Sequence, residues 1–181
     1  MGDGTPVSLT LESLGTGIPV LLPEAVGFYK QNCMVCFDDQ GHASGVSLPL
    51  LYGSQNRTFS ICWTGEVTER MRAAYKDIIR ATDNAACAIA LLVIREVTEF
   101  TAIEQATRGT TVDYYLGSKD EPGDLIFNHK ARLEASGILR ENVSNTIEAR
   151  IKEKKDRLKG GLPAYVVIVE FGGPVSKMVK L

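Results

Sequence analysis

Histidine is scarce in this chain of 181 residues: His42 and His129 are the only two. Neither lies in a pattern that makes a nucleophile–base pair, so a serine or cysteine hydrolase with a histidine base is not expected. Long apolar runs are lacking as well. The longest, residues 85–94, is too short to span a bilayer, and no membrane partner is expected. The opening Met1-Gly2-Asp3-Gly4-Thr5-Pro6 has neither the basic start nor the apolar stretch of a secretory signal, which points to a cytoplasmic protein. A basic excess is missing too. The net charge is −2, without the bias of a protein that grips nucleic acid by charge alone. Gly15-Thr16-Gly17-Ile18-Pro19 lacks the Lys-Ser/Thr ending of a phosphate loop and reads as a turn. Of the four cysteines, Cys33 and Cys36 have C-x-x-C spacing, but Met34, Val35 and Phe37 around them are apolar. Small buried hydrophobes are expected there rather than zinc ligands or a redox pair.

What is present suits a single α/β domain over residues 1–181. Apolar residues make up 44% of the chain and charged residues 23%, which is ordinary for a globular protein. Residues 1–64 read as a β-rich extension, with strands expected over 28–37, 46–52 and 59–63; Pro49 marks the second as an edge or bulged strand. Residues 65–181 read as an α/β core. A helix is expected over 66–80, and a second, buried one over 85–97 that Thr82, Asp83 or Asn84 would cap. Strands follow over 100–106, 111–116 and 125–138. Asn142 or Ser144 would cap a helix reaching residue 159, where Gly160-Gly161 stops it. The nearly continuous apolar stretch 164–171 predicts a strand covered on both faces. The lysines and arginines around residues 152–159 read as a solvated helix face.

Two acids stand out. Asp113 falls in one β pattern, Thr111-Val112-Asp113-Tyr114-Tyr115-Leu116, and Glu134 in the next, Arg132-Leu133-Glu134-Ala135-Ser136. Acids are disfavoured in strands and costly to bury unpaired. Two on neighbouring strands imply either a divalent metal site or a pair of salt bridges, Asp113 with Arg108 and Glu134 with Arg132. Glu104 reads as a surface charge.

The order helix, strand, strand, strand, helix, strand from residue 85 onward, with acids on the second and third strands, resembles the restriction-endonuclease-like superfamily, whose signature is PD-(D/E)XK. Asp113 matches the first acid of the signature, with Val112 where proline often stands, and Glu134 matches the second. The lysine of the signature is missing; Ser136 occupies its position. The resemblance spans roughly residues 84–171. It implies a mixed sheet flanked by helices and a metal-dependent nuclease, active or degenerate, that takes Mg²⁺ or Mn²⁺ and acts on nucleic acid. It further implies Asp113 and Glu134 as metal ligands, with Glu96 (or Glu99) as the acid from the preceding helix. Arg132 shares the strand face of Glu134 and becomes the candidate catalytic cation. Lys130 lies further along that face, and Lys152 on the next helix is an alternative. The competing expectation is a non-catalytic domain of the same fold that binds a protein partner or forms a homodimer.

Overall fold

The computed structural model describes residues 6–120 and 128–181. Among them, eight strands form one mixed sheet, in the order β1-β3-β2-β8-β7-β6-β5-β4. In chain order these are β1 (Val7–Thr10), α1 (Pro23–Asp39), β2 (Val46–Tyr52), β3 (Gln55–Cys62), α2 (Glu69–Ala74), α3 (Ile78–Val97), β4 (Phe100–Gln105), β5 (Tyr114–Ser118), β6 (Ala131–Ile138), α4 (Ile147–Arg157), β7 (Ala164–Glu170) and β8 (Val175–Lys180), with a short 3-10 helix at Leu11–Gly15. The protein is therefore α/β with helices on both faces of a mixed sheet. No helix among the described residues is long and apolar enough to cross a membrane.

The alternation of strand side chains shows how the layers form. On β7, Tyr165, Val167 and Val169 join the core beneath α1 and α3, while Ala164, Val166 and Ile168 join a second core with Ile147 and Ile151 of α4. Every residue of β7 is buried, as expected for a strand sandwiched between helices. β4, β5 and β6 run as an antiparallel meander, and α4 then carries the chain to β7, parallel to β6. β8, a strand the sequence did not reveal, returns antiparallel to β7 after the Gly172-Gly173-Pro174 turn.

Residues 28–37 are helix, not strand. They lie in α1, where Val26, Tyr29, Cys33, Cys36 and Phe37 recur at helical spacing towards the core. Only Val35 in that stretch is β-branched, so little propensity opposes a helix. The residues before position 65 are thus mixed α and β. Nor do they lie outside the sheet: β2 extends it by pairing with β8 at Leu50–Ser176 and Leu51–Lys177. Pro49 sits just before those two pairs, where a missing N–H costs no bond to β8. Cys33 and Cys36 are fully buried against α3, Cys33 reaching the Ala85 carbonyl and Cys36 the Thr82 hydroxyl. Burial raises both thiol pKa values, Cys36 to about 12. Their small side chains let the alanines of α3 approach closely, so the spacing serves packing.

The expected helix over 66–80 breaks into α2 and the start of α3. Thr68 caps α2 by accepting from the Met71 N–H, and Asp77 caps α3 by accepting from the Arg80 N–H. α3 therefore begins seven residues earlier than its apolar run, and Thr82, Asp83 and Asn84 lie within its first turns. α4 begins at Ile147 and is capped by Thr146. β6 begins at Ala131; the part of the expected strand at 125–127 lies outside the described residues.

One contact sets how closely α3 lies on the sheet. A Cβ added to Gly137 of β6 would stand 2.5 Å from the Thr82 carbonyl oxygen. That neighbour is helical backbone and cannot swing aside. Gly137→Ala is predicted to cost about 1–3 kcal/mol, the usual range for overpacking, measured by urea denaturation. Gly27→Ala on α1, where nothing lies within 4 Å of the added Cβ, should be neutral or stabilising by up to about 1 kcal/mol. Equal midpoints for Gly137→Ala and wild type would contradict the close approach.

Candidate functional site

The site lies where β5 parts from β6. β5 pairs with β6 only at Tyr114–Leu133, Tyr115–Arg132 and Leu116–Ala131. The Asp113 N–H makes one more bond, to the Leu133 carbonyl at 2.9 Å. Beyond that point β6 continues to Ile138 with β7 along its other edge. Asp113 closes part of the gap, its Oδ2 accepting from the Ala135 N–H at 2.8 Å. The half-buried Asp113 is thereby fixed beside Glu134, which is 7% exposed.

The two carboxyl groups lie within hydrogen-bonding reach of each other. Glu134 also receives the Lys154 ammonium as a hydrogen-bonded ion pair. Unit charges about 4 Å apart interact by about 4 kcal/mol at an effective dielectric near 20. Repulsion from Asp113 and attraction to Lys154 are therefore of similar size, and burial tips the balance. Burial first, and Asp113 second, raise the Glu134 pKa to about 7 against the opposing pull of Lys154.

The register of α4 over β6 accounts for the cations. Arg150 and Lys154 are one helical turn apart, a rise of about 6 Å. Ser136 and Glu134 are two strand residues apart, about 6.6 Å. With the helix running back along the strand, Arg150 Nη1 donates to Ser136 Oγ at 3.3 Å while Lys154 reaches Glu134. Asn145 Oδ1 steadies Arg150 by accepting from its Nε at 2.8 Å. The position of the missing lysine is thus served from the next helix. Lys152 is not involved; it borders a separate cleft with Lys155 and Lys177.

α3 brings further groups from the opposite face. Asp83 has a raised pKa through burial, opposed by Arg150 and Lys154 and reinforced by Asp113. Cys87, one turn on, has a thiol pKa raised by burial and by Asp113, Asp83 and Glu134. Tyr114, next to Asp113, shares a 2.9 Å hydrogen bond with Tyr29 of α1. The sequence signal for Asp83 was hidden because it resembled a helix cap; the true cap, Asp77, turns Asp83 into a residue on the helix face.

The other candidates fall elsewhere. Glu96 is exposed near the opposite end of α3, about 20 Å from Asp83 at 1.5 Å per residue. Glu99, past the end of α3, accepts from the Lys119 N–H through its carbonyl. Arg132 turns away from Glu134 and donates to the carbonyls of Leu162 and Gly160, at 2.9 and 2.5 Å. Neither of the two expected salt bridges, Asp113–Arg108 and Glu134–Arg132, forms among the described residues. Glu104 accepts from or donates to His129 at 2.8 Å, and His129 stacks on Tyr115. His42 Nε2 bonds the Gly172 carbonyl. Among the described residues, no group of three or more His, Cys, Asp or Glu side chains is placed to hold a metal ion. No family model matches the chain, and no curated protein or solved structure matches it.

The raised Glu134 pKa has a definite sign in stability. The folded state keeps this proton to higher pH than the unfolded chain, so the stabilising contribution is complete below the unfolded value near 4.5. It is lost as pH rises through about 7. Glu134→Gln is predicted to flatten the fall in stability between pH 5 and 8, measured by urea denaturation. Carboxyl ¹³C NMR should show Glu134 titrating near 7 and moving down in Asp113→Asn. A Glu134 titration unchanged by that substitution would contradict the pairing.

Proposed function

We propose that the protein is a metal-dependent nuclease of restriction-endonuclease-like type, with the Asp113–Glu134 notch as its active centre. The observation that carries this reading is the meeting of two carboxylates and a lysine at a split between strands. The element order α3-β4-β5-β6-α4-β7 supports it, because the acids sit at the start of the second strand and within the third. The donor set also fits a hard cation. Two crowded carboxylates, one with its pKa raised by the other, form an acidic excess that Mg²⁺ or Mn²⁺ relieves, and Mg²⁺ takes only one or two carboxylates while keeping several waters. Asp113 and Glu134 would hold the ion. When bound, it would polarise a phosphodiester and lower the pKa of a coordinated water.

The chain's own residues have distinct parts in this proposal. Ala135 N–H fixes one oxygen of Asp113 and leaves the other for the ion. Lys154 takes the place of the missing motif lysine: released from Glu134 as the ion arrives, its ammonium stabilises charge developing on the phosphate. Arg150 offers a planar donor fork for a phosphate oxygen. Asp83 lies across the notch as an outer acid.

A second reading, a non-catalytic domain that binds a protein partner or dimerises, draws support from the Lys154–Glu134 pair itself. That pair neutralises Glu134 without any ion, as a degenerate site would.

The experiment separates the two. Mn²⁺ calorimetry should give saturable heat in wild type and in Lys154→Met, and none in Asp113→Asn or Glu134→Gln. With Mn²⁺ and single-stranded or duplex DNA and RNA, wild type should cleave, and Lys154→Met should cleave at least about 100-fold more slowly, the scale for loss of a charge-stabilising group. Heat unchanged by the carboxylate substitutions, or metal binding without cleavage of any of the four substrates, would overturn the enzymatic reading.

A further inference from the structure

Beside the notch, α1, the 74–77 connection and the first turns of α3 enclose a cleft of about 270 Å³. Its walls include the rings of Phe28 and Tyr75, whose centroids are 6.2 Å apart. Phe28 is 43% exposed, a large apolar face left open to solvent. Tyr75 is held from behind, its hydroxyl donating to Gln31 Oε1 at 2.7 Å. Asn32 contributes to the inner wall and is only 1% exposed. Its Nδ2 donates to the Phe28 carbonyl at 2.8 Å, which leaves Oδ1 buried without a hydrogen-bond partner. A buried acceptor without a donor is uncommon and calls for one. Asn84 and the exposed Arg80 stand on the α3 side of the same cleft.

We propose that this cleft binds an adenine base, with Asn32 Oδ1 accepting from the exocyclic amine and Asn84 donating to a ring nitrogen. An amide acceptor and an amide donor together match the adjacent N–H donor and nitrogen acceptor of adenine. An open aromatic face supplies the stacking that nucleobases favour, and Arg80 at the rim suits the attached phosphate. The cleft adjoins the acids through two links. Asn84 follows Asp83 on α3, and Tyr29, next to Phe28, bonds Tyr114, next to Asp113. That the base belongs to a nucleic-acid strand rests on the nuclease reading; binding of the base itself does not.

The test uses the full chain in EDTA, so that metal chemistry plays no part, with adenosine monophosphate and N6,N6-dimethyladenosine monophosphate as probes followed by calorimetry and ligand-observed NMR. Adenosine monophosphate should bind saturably, and the dimethyl analogue, which lacks the amine donor, at least tenfold more weakly. Asn84→Ala should weaken adenosine monophosphate at least tenfold. Asn32→Leu, with folding checked by its thermal transition, should remove the preference between the two nucleotides. Asp113→Asn should bind as wild type does. No saturable binding, equal binding of both nucleotides, or binding unaffected by Asn84→Ala would overturn the proposal. Strand cleavage without adenosine monophosphate binding defeats the cleft alone; selective binding without strand cleavage supports the cleft and defeats only the nuclease reading.

Discussion

Glu134 experiences three opposing influences. Burial and Asp113 disfavour its charge, and Lys154 favours it. The arrangement survives because each participant is fixed by backbone outside the site. Asp113 is tied to β6 through its N–H and a carboxylate oxygen. Lys154 arrives on a helix whose rise matches the strand beneath it. Two like charges held together in this way store an electrostatic tension that a proton, an ammonium group or a dication relieves. Everything functional in the proposal is a choice among those three.

The rest of the architecture serves the opening. The seven-residue ladder between β6 and β7 keeps β6 straight after β5 has left it. Gly137 lets the first turns of α3 lie directly on that strand, which brings Asp83 and Cys87 to the edge. On the other face, Ile147 and Ile151 anchor α4 in the second core, so Arg150 and Lys154 project from a helix that cannot rotate freely. The same α3 turns border the aromatic cleft on their other side. One helix end thus contributes to both candidate sites.

Much of this was legible in the sequence. The apolar run of β7, the meander of β4–β6 and the acids at 113 and 134 follow from patterning, because burial on a sheet writes itself into alternation and continuous apolar stretches. The boundary at Asp77 was not legible. Asp77 and Asp83 are both plausible caps, and the decision rests on how α2 ends at Tyr75 and on the contact between Thr82 and Gly137. Mistaking the cap hid Asp83 and moved the search for a helix acid to Glu96. α1 was read as a strand because a short apolar run around two cysteines fits either period, and only its partner α3 decides. Lys154 was unreadable for another reason: which lysine of a basic helix faces the sheet depends on helix rotation, set by Ile147 and Ile151, and Lys152 differs from it by only two positions.

The most direct measurement is anomalous diffraction from crystals of the protein soaked in Mn²⁺. The account predicts a manganese peak between the carboxylates of Asp113 and Glu134, with the Lys154 ammonium displaced from Glu134. No peak there, with the Lys154–Glu134 pair intact at saturating Mn²⁺, would contradict it.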